Sequence, residues 1–261
     1  TVASSVIGPL IPPSIGLVLY AFLAQQSIER MFLAGLVPGL LVGLALMIYV
    51  RVVATVREFP TQPRATPREV VHTMQHGFLA LVAPAIILSA IFFGYVTATE
   101  AGVLACLYCI VIGIWYRELT VAKFFEALTD SAMMTAVIMI IIAFSIAMGW
   151  LLAIEQAPQK MAEATFALTE NKHVFLGLLL VFVILVGCVV EGVPAKLILV
   201  PTLLPVIDAY GIDRVHFGVF LQLGLLIGIA TPPMGIGLYI VSEVGRVRFE
   251  NVTLAVLPML I

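Results

Sequence analysis

Two short stretches decide the fold of this chain: Gly8-Pro-Leu-Ile-Pro12-Pro13-Ser14 and Gly228-Ile-Ala-Thr-Pro232-Pro233-Met234. In both, a glycine precedes a pair of prolines by four positions, and an apolar run follows the pair. Proline has no backbone N–H and clashes with the carbonyl four residues earlier, so it interrupts a helix. Each stretch therefore predicts a broken helix with free backbone carbonyls near its glycine.

The composition predicts an all-α polytopic membrane protein. Of the 261 residues, 62% are hydrophobic and only 11% are charged, whereas soluble domains carry about 25% charged residues. Several apolar runs approach the ~20 residues that a membrane-crossing helix needs. Because lipid offers no hydrogen-bond partners, such runs must be helices or a closed barrel, and their continuous apolar pattern favours helices. The formal net charge of −2 gives no indication of nucleic-acid binding.

The apolar and polar segments predict an order of spans. The first broken helix covers residues 1–24, and the second covers 214–245. The chain begins and ends inside apolar stretches, so we expect both ends to be truncated. Between the broken helices we predict spans at 31–53, 77–94, 99–116 and 131–154, an amphipathic helix at 117–130, and two short arms at 173–190 and 197–207. A last span starts at 251, after the second broken helix.

The basic residues orient these spans, because cytoplasmic loops carry an excess of Lys and Arg. If the polar segment 54–76 is cytoplasmic, eight basic residues lie on that side and four lie outside. The first broken helix then runs outward and the second inward, which makes them an inverted repeat. Inverted repeats with discontinuous helices are a recurring plan of secondary transporters, with the site near the midplane. Charge does not decide the depth of the arms in 173–207, but their shortness favours a re-entrant hairpin.

The breaks predict ion binding. A carbonyl freed in lipid costs several kcal/mol unless something satisfies it, and Na⁺ is coordinated by such unwound carbonyls in transporters. Ser14 and Thr231 place a hydroxyl beside each break. The half-helix after each proline pair also directs its positive N-terminus inward, which suits a carboxylate substrate. The alternative is a plain proline kink, which the matched pair of breaks disfavours.

The charged interruption Glu191-Gly-Val-Pro-Ala-Lys196 is the predicted hairpin tip. Ionisable residues at membrane depth are functional candidates by default. Glu191 could hold Na⁺ or the tip itself while Lys196 faces a substrate carboxylate. Alternatively the two side chains neutralise each other, as buried charges must. Both interpretations stay open at this point.

Other candidates favour structural roles. The glycines at 35, 39 and 43 predict a close helix-packing face. Glu100, following Thr97, indicates a helix start. His72 and His76 share one helical face, but in a basic exposed stretch without an acidic or Cys partner, so we predict no transition-metal site. The spans hold no nucleophile–base pair that an intramembrane enzyme would need. A channel is disfavoured because inverted repeats in one chain favour alternating access.

Seven stretches of the chain together resemble the large membrane subunit of TRAP (tripartite ATP-independent periplasmic) transporters. They occur in the family's order and cover nearly the whole chain. They are Gly8-Pro-Leu-Ile-Pro-Pro-Ser14, Ser27-Ile28, Ala34-Gly-Leu-Val-Pro-Gly39, Gly94-Tyr-Val-Thr-Ala-Thr-Glu-Ala101, Pro201-Thr-Leu-Leu-Pro205, Gly211-Ile-Asp-Arg-Val-His-Phe-Gly218 and Gly228-Ile-Ala-Thr-Pro-Pro-Met-Gly235.

The resemblance implies a Na⁺-coupled importer of organic acids, such as dicarboxylates or sialic-acid-like carboxylates, in the bacterial inner membrane. It implies an elevator mechanism within the ion-transporter superfamily, a periplasmic substrate-binding protein, a small four-helix membrane subunit, and no cofactor besides the coupling ion. A related Na⁺/anion symporter without a binding protein is the alternative. The family's first hairpin would lie before Thr1, within one integral membrane domain.

By the same resemblance, residues 25–172 are mostly scaffold, and 173–245 hold the hairpin and the second broken helix. The implied ion-binding residues are Gly8, Pro12, Pro13 and Ser14 at the first break, and Gly228, Thr231, Pro232, Pro233 and Gly235 at the second. The tip residues Glu191, Gly192 and Lys196 are implied on the substrate side. A lysine at position 196 is not expected for the family.

Overall fold

The computed structural model describes residues 2–58, 65–156, 160, 163, 169–232 and 235–260. All regular structure within these residues is helical, as the sequence predicts. The helices are α1 (Val2–Ser5), α2 (Ile15–Ala24), α3 (Ile28–Val56), α4 (Pro67–Phe92), α5 (Ala98–Trp115), α6 (Val121–Ile154), α7 (Lys172–Val189), α8 (Gly192–Ala209), α9 (Arg214–Ile229), α10 (Ile236–Gly245) and α11 (Phe249–Leu260).

Five of the described helices are long and apolar enough to cross a membrane: α3, α5, residues 121–148 of α6, α7 and α8. The two halves of α4, Pro67–Met74 and Gly77–Phe92, meet at a 52° bend and together could form a sixth span. The chain is therefore a multi-pass membrane protein, which confirms the prediction from composition.

The chain divides into two compact units. One comprises residues 1–50 and 139–261, and the other comprises 51–138. The second unit is built on α4 and α5, which pack side by side, and the Tyr108 hydroxyl donates a hydrogen bond to the carbonyl of Leu79 at 2.7 Å. Both broken helices and the predicted hairpin lie in the first unit.

Capping residues set the starts of α4 and α5. Thr97 and Glu100 form a capping box at the start of α5, which confirms the predicted role of Glu100. Thr66 and Glu69 form a second box, with Pro67 in the first turn of α4. Because these residues satisfy the first N–H groups of a helix, α4 starts at 67. The helix thus begins ten residues before the predicted span, whose start at 77 coincides with the second half of α4, Gly77–Phe92.

The sequence predicts two separate elements at 117–130 and 131–154, but the structure does not contain them. Instead, residues Val121–Ile154 form α6, one helix of 34 residues. The run from 121 to 148 contains neither glycine nor proline, so nothing ends the helix where its composition changes. The hydroxyls of Thr129 and Thr135 bond to carbonyls four residues earlier, which lets polar residues stay within the helix.

The second hairpin arm is longer than predicted, whereas the first has the predicted length. Helix α8 begins at Gly192, not at 197, so the interruption after α7 is only Val190 and Glu191. Pro194 falls in the first turn, where its missing N–H costs no hydrogen bond. Each arm has 18 residues, or roughly 27 Å at 1.5 Å per residue. Arm length therefore does not favour a re-entrant hairpin over two crossings.

Glycines bring the helices of the first unit close together. A Cβ on Gly35 would lie 2.7 Å from Leu17 Cδ1, and one on Gly39 would lie 2.6 Å from Ile11 Cγ1. The predicted glycine face of α3 is thus confirmed, and it packs on the first break. Similarly, a Cβ on Gly187 of α7 would lie 2.8 Å from the carbonyl oxygen of Leu225 in α9. These contacts hold both breaks against neighbouring helices.

Candidate ion and substrate site

The first break separates α1 from α2, and side chains satisfy a carbonyl that it frees. In a continuous helix, the Pro9 carbonyl would bond to the N–H of residue 13, which proline lacks. Instead it accepts a hydrogen bond from Ser14 Oγ at 2.5 Å and another from Gln222 Nε2 at 3.0 Å. Ser14 is 3% exposed and also caps α2, accepting a bond from the N–H of Leu17 at 3.3 Å. The first break is thereby tied to α9.

The second break lies between α9 and α10, and the described residues satisfy one of its two freed carbonyls. The Gly228 carbonyl, which Pro232 frees, accepts from the N–H of Thr231 at 2.9 Å. The Thr231 hydroxyl bonds to the carbonyl of Ile227 at 2.6 Å. No described residue donates a hydrogen bond to the carbonyl of Ile229, at the end of α9. That oxygen therefore has capacity to bind an ion.

Gly235 begins the chain's return to helix at the second break. Its φ angle is +25°, and a Cβ there would lie 2.9 Å from the carbonyl oxygen of Thr231. Backbone in this region and a contact this close favour glycine. Of the predicted site residues, Pro233 lies outside the described residues.

The hairpin tip touches both breaks. A Cβ on Gly192 would lie 3.9 Å from Cδ1 of Ile229, at the end of α9. On the other side, Lys196 Nζ lies 2.6 Å from the point that a Cβ on Gly16 would occupy, in the first turn of α2. The structure thus brings residues of the first break, the second break and the tip together within one unit.

Four predicted site residues are placed differently. Gly228 faces α7, since a Cβ there would lie 2.6 Å from the Cα of Gly187. Gly8 has open surroundings, with the Ser5 carbonyl oxygen at 3.8 Å as its nearest contact. Pro12 is buried and Pro13 is exposed. Of the two glycines that define the sequence motif, Gly228 therefore packs closely on α7, whereas Gly8 makes no such close contact.

The ion pair considered for the tip does not form. Glu191 is exposed, whereas Lys196 is 3% exposed. Among the described residues, the one ion pair within 4.0 Å joins Arg214 and Asp208. The two charges at the tip therefore do not neutralise each other by direct contact.

Sequence reasoning missed two residues of the site. Gln222 is 2% exposed, and its Oε1 is buried without a hydrogen-bond partner in the described part of the chain. It was detectable as the one polar side chain in the apolar run from 217 to 229. Gly16 carries no such signal, because only packing reveals that Lys196 and Gln222 both lie against it. Within the described ranges, no three His, Cys, Asp or Glu side chains cluster to hold a metal.

Comparison with known proteins gives a consistent result. Residues 1–261 match the family described as "Tripartite ATP-independent periplasmic transporter, DctM component". Over its full length the chain is 42% identical to the sialic acid TRAP transporter large permease protein SiaM of Vibrio cholerae, covering 61% of that protein.

Two further relatives extend the comparison. The sialic acid TRAP transporter permease protein SiaT of Haemophilus influenzae is 34% identical over all of the chain, which covers 42% of that relative. The C4-dicarboxylate TRAP transporter large permease protein DctM of Pseudomonas aeruginosa is 34% identical over 97% of the chain, which covers 60% of it. The chain thus spans about two fifths to three fifths of the length of these relatives, all named as transporter permeases rather than enzymes. It belongs to the DctM component family of tripartite ATP-independent periplasmic transporters.

Proposed function

We propose that this protein acts in Na⁺-coupled import of organic acids, either dicarboxylates or sialic-acid-like carboxylates, across the bacterial inner membrane. The permeases named above, for sialic acid and C4-dicarboxylates, support this substrate class. The observation that carries the proposal is the meeting of both helix breaks with the tip of the α7–α8 hairpin. Such a meeting of broken helices is where transporters bind substrate and coupling ions.

Two ion sites follow from this arrangement. The first would use oxygens near Gly8, Pro12, Pro13 and Ser14, and the second would use oxygens around Gly228, Thr231, Pro232, Pro233 and Gly235. The Ile229 carbonyl, without a described donor, supports an ion at the second break. At the first break, by contrast, Ser14 and Gln222 already satisfy the Pro9 carbonyl. An ion there would share this oxygen with the protein, whereas the Gly8 carbonyl, which Pro12 frees, has no donor among the described residues.

Substrate movement in this proposal is of the elevator type, with α1–α2 and α9–α10 as the inverted broken helices of the moving part. A periplasmic binding protein would deliver the substrate, and a small four-helix subunit would complete the membrane complex. The closely packed contacts between α2, α8 and α9 support their moving together as one body.

Reconstitution tests the proposal. The full-length permease and its small subunit are placed in proteoliposomes, and uptake of labelled N-acetylneuraminate and succinate is measured. We expect uptake of one of them that requires both an inward Na⁺ gradient and the added binding protein. Uptake that needs Na⁺ but not the binding protein would support the alternative, a Na⁺/anion symporter. Uptake that is indifferent to Na⁺ would contradict the coupling.

A further inference from the structure

A buried lysine lies where the starts of two helices meet. Lys196 is 3% exposed, and its Nζ lies 2.6 Å from the Cβ position of Gly16 and 4.0 Å from that of Gly192. Gly16 is in the first turn of α2, and Gly192 is in the first turn of α8. Each helix start carries a partial positive charge and N–H groups without an acceptor in the helix. The ammonium therefore adds a third positive group to the same place.

No carboxylate among the described residues is in direct contact with Lys196. The structure describes no carboxylate within 4.0 Å of Lys196, and Glu191 is exposed. Glu191 also leaves the start of α8 without a side-chain cap. A buried charge is costly unless it is paired and hydrogen-bonded. Three convergent positive groups therefore suit an anion.

Donor groups for such an anion are present at the start of α2. The hydroxyl of Ser14 accepts a hydrogen bond from the N–H of Leu17. The N–H groups of Ile15 and Gly16, by contrast, have no acceptor among the described residues. Because Gly16 has no side chain, nothing separates its backbone from Lys196 Nζ. Ile15 is 78% exposed and Gly16 is half-buried, so the described chain does not cover this turn completely.

Gln222 adds an acceptor beside these donors. Its Oε1 lies 2.7 Å from the Cβ position of Gly16, and Lys196 Nζ lies 2.6 Å from the same point. The two atoms are therefore at most about 5.3 Å apart. The bond from Nε2 to the Pro9 carbonyl fixes the orientation of the amide and leaves Oε1 as a buried acceptor without a described partner. A hydroxyl or N–H next to an anionic group would have an acceptor there.

We infer that Lys196 and the first turns of α2 and α8 bind the carboxylate of the transported organic acid, and that Gln222 accepts a hydrogen bond from its neighbouring hydroxyl. This inference rests on the proposed function, and it assigns the site in which the substrate's charge is recognised. Lys196, which the family resemblance does not lead one to expect, is then a residue that sets substrate preference.

The test pairs a protein variant with a change in the substrate. Proteoliposomes hold the full-length permease with its small subunit, and the binding protein is added at the same concentration for every variant. Either N-acetylneuraminate or its methyl ester then competes with uptake of the labelled acid. If the wild type carries succinate instead, succinate and its monomethyl ester are used. We expect the wild type to prefer the acid over its ester by at least about tenfold, because the ester lacks one partner of a buried charge pair. Lys196→Gln should raise the KM for the acid by a similar factor and remove most of this preference, leaving the Na⁺ concentration for half-maximal uptake unchanged.

Matched variants separate binding from folding. Lys196→Arg should keep the preference for the acid, and Lys123→Gln, which alters an exposed lysine on α6, should change nothing. Gly16→Ala should weaken recognition of the acid more than of the ester, because its Cβ would displace Lys196 Nζ. Gly102→Ala is its control, since nothing lies within 4 Å of a Cβ there.

The outcomes distinguish the two proposals. If Lys196→Gln transports with the wild-type KM and the wild-type preference for the acid, the inference is wrong and the proposed function stands. If Lys196→Gln does not reach the membrane, Gly16→Ala is measured instead. The wild-type KM and the wild-type preference for the acid in that variant would likewise contradict the inference. If the wild type carries neither N-acetylneuraminate nor succinate, the proposed substrate class fails and the inference fails with it.

Discussion

The Pro9 carbonyl shows how a single residue can organise a broken helix. Pro13 frees it, and Ser14 and Gln222 satisfy it from two different helices. A free carbonyl in lipid would cost several kcal/mol, so these two bonds let the first break exist before any ion binds. At the second break, the described residues leave the Ile229 carbonyl without such a donor. At each break, therefore, one freed carbonyl accepts hydrogen bonds and the other, that of Gly8 or of Ile229, has no donor among the described residues.

The carbonyl without a described donor at the second break predicts a role for Thr231 in Na⁺ binding. Thr231→Val removes one oxygen from the second break while keeping the side chain's shape, so the Na⁺ concentration for half-maximal uptake should rise at least about fivefold, as for loss of ~1 kcal/mol. Thr135→Val is the matched control, because its hydroxyl makes the same bond to a carbonyl four residues earlier on an exposed face of α6. Equal Na⁺ dependence in the two variants would remove Thr231 from the ion site.

The two motif glycines should also respond differently. Gly228→Ala would place a Cβ 2.6 Å from the Cα of Gly187 and from the Ile184 carbonyl oxygen, and backbone atoms cannot move aside cheaply. We expect a loss of about 1–3 kcal/mol or more in unfolding free energy, as in other overpacked interiors. Gly8→Ala, with its nearest contact at 3.8 Å, should change stability by less than about 1 kcal/mol. Thermal unfolding of the purified full-length protein measures both, and a similar loss in both variants would contradict this packing.

At the scale of elements, a group of hydrogen bonds joins α2 to the turn between α8 and α9. The Tyr20 hydroxyl donates to the carbonyl of Arg214 at 2.5 Å, and the Arg214 guanidinium donates to the carbonyl of Ala24 at 3.4 Å. Arg214 also pairs with Asp208 through two bonds, at 2.9 and 2.6 Å. Because that pair is largely exposed, it contributes little by itself. The buried tyrosine therefore makes the main link.

Tyr20→Phe tests this link. Tyr20 is fully buried, so losing its hydroxyl leaves the Arg214 carbonyl without that donor, and we expect a loss of about 1–2 kcal/mol in unfolding free energy. Tyr239→Phe is the control, since Tyr239 is 54% exposed and its hydroxyl makes no hydrogen bond that the structure describes. Thermal unfolding of both variants should show a lower Tm for Tyr20→Phe alone. An equal Tm would mean that packing, not the hydrogen bond, holds α2.

Local signals explain which elements could be predicted from the sequence. Thr97 with Glu100, and the proline pairs, act through residues next to each other in the chain, so their effects are visible in sequence. The start of α8 was misplaced because charge suggested a loop where Pro194 is compatible with a first helical turn. The contact of Lys196 with Gly16 could not be predicted, since it joins residues 180 positions apart through tertiary packing.

At the scale of the whole molecule, the helices differ in the fraction of their residues that is buried within the described protein. The most apolar part of α8 is 50% buried, whereas the corresponding part of α5 is 6% buried and that of α6 is 0% buried. Exposed apolar surface of this extent in a membrane protein faces lipid or another subunit. The helices around the candidate site are thus the packed part of the molecule.

The order of spans gives a prediction for the sides of the membrane. Among the described residues, three candidate spans, α4, α5 and α6, lie between Arg57 and Glu170, so these two exposed residues should lie on opposite sides. The excess of basic residues places Arg57 in the cytoplasm. In a full-length permease without other cysteines, an impermeant maleimide should label Arg57→Cys in inside-out vesicles and Glu170→Cys in right-side-out vesicles. Labelling of both from one side would contradict the crossing of α4, α5 or α6.

A third position, Glu191, resolves the depth of the hairpin. Helices α7 and α8 are long enough to cross fully, which would bring Glu191 to the cytoplasmic surface, whereas a re-entrant hairpin keeps it within the membrane. Because Gly192 contacts Ile229 at the second break, we expect the tip to lie at the level of the breaks. Glu191→Cys should therefore react with the impermeant maleimide at least about tenfold more slowly than Arg57→Cys in inside-out vesicles, since thiolates form poorly in apolar surroundings. Equal rates at the two positions would show that both arms cross the bilayer and that the breaks lie near its cytoplasmic surface.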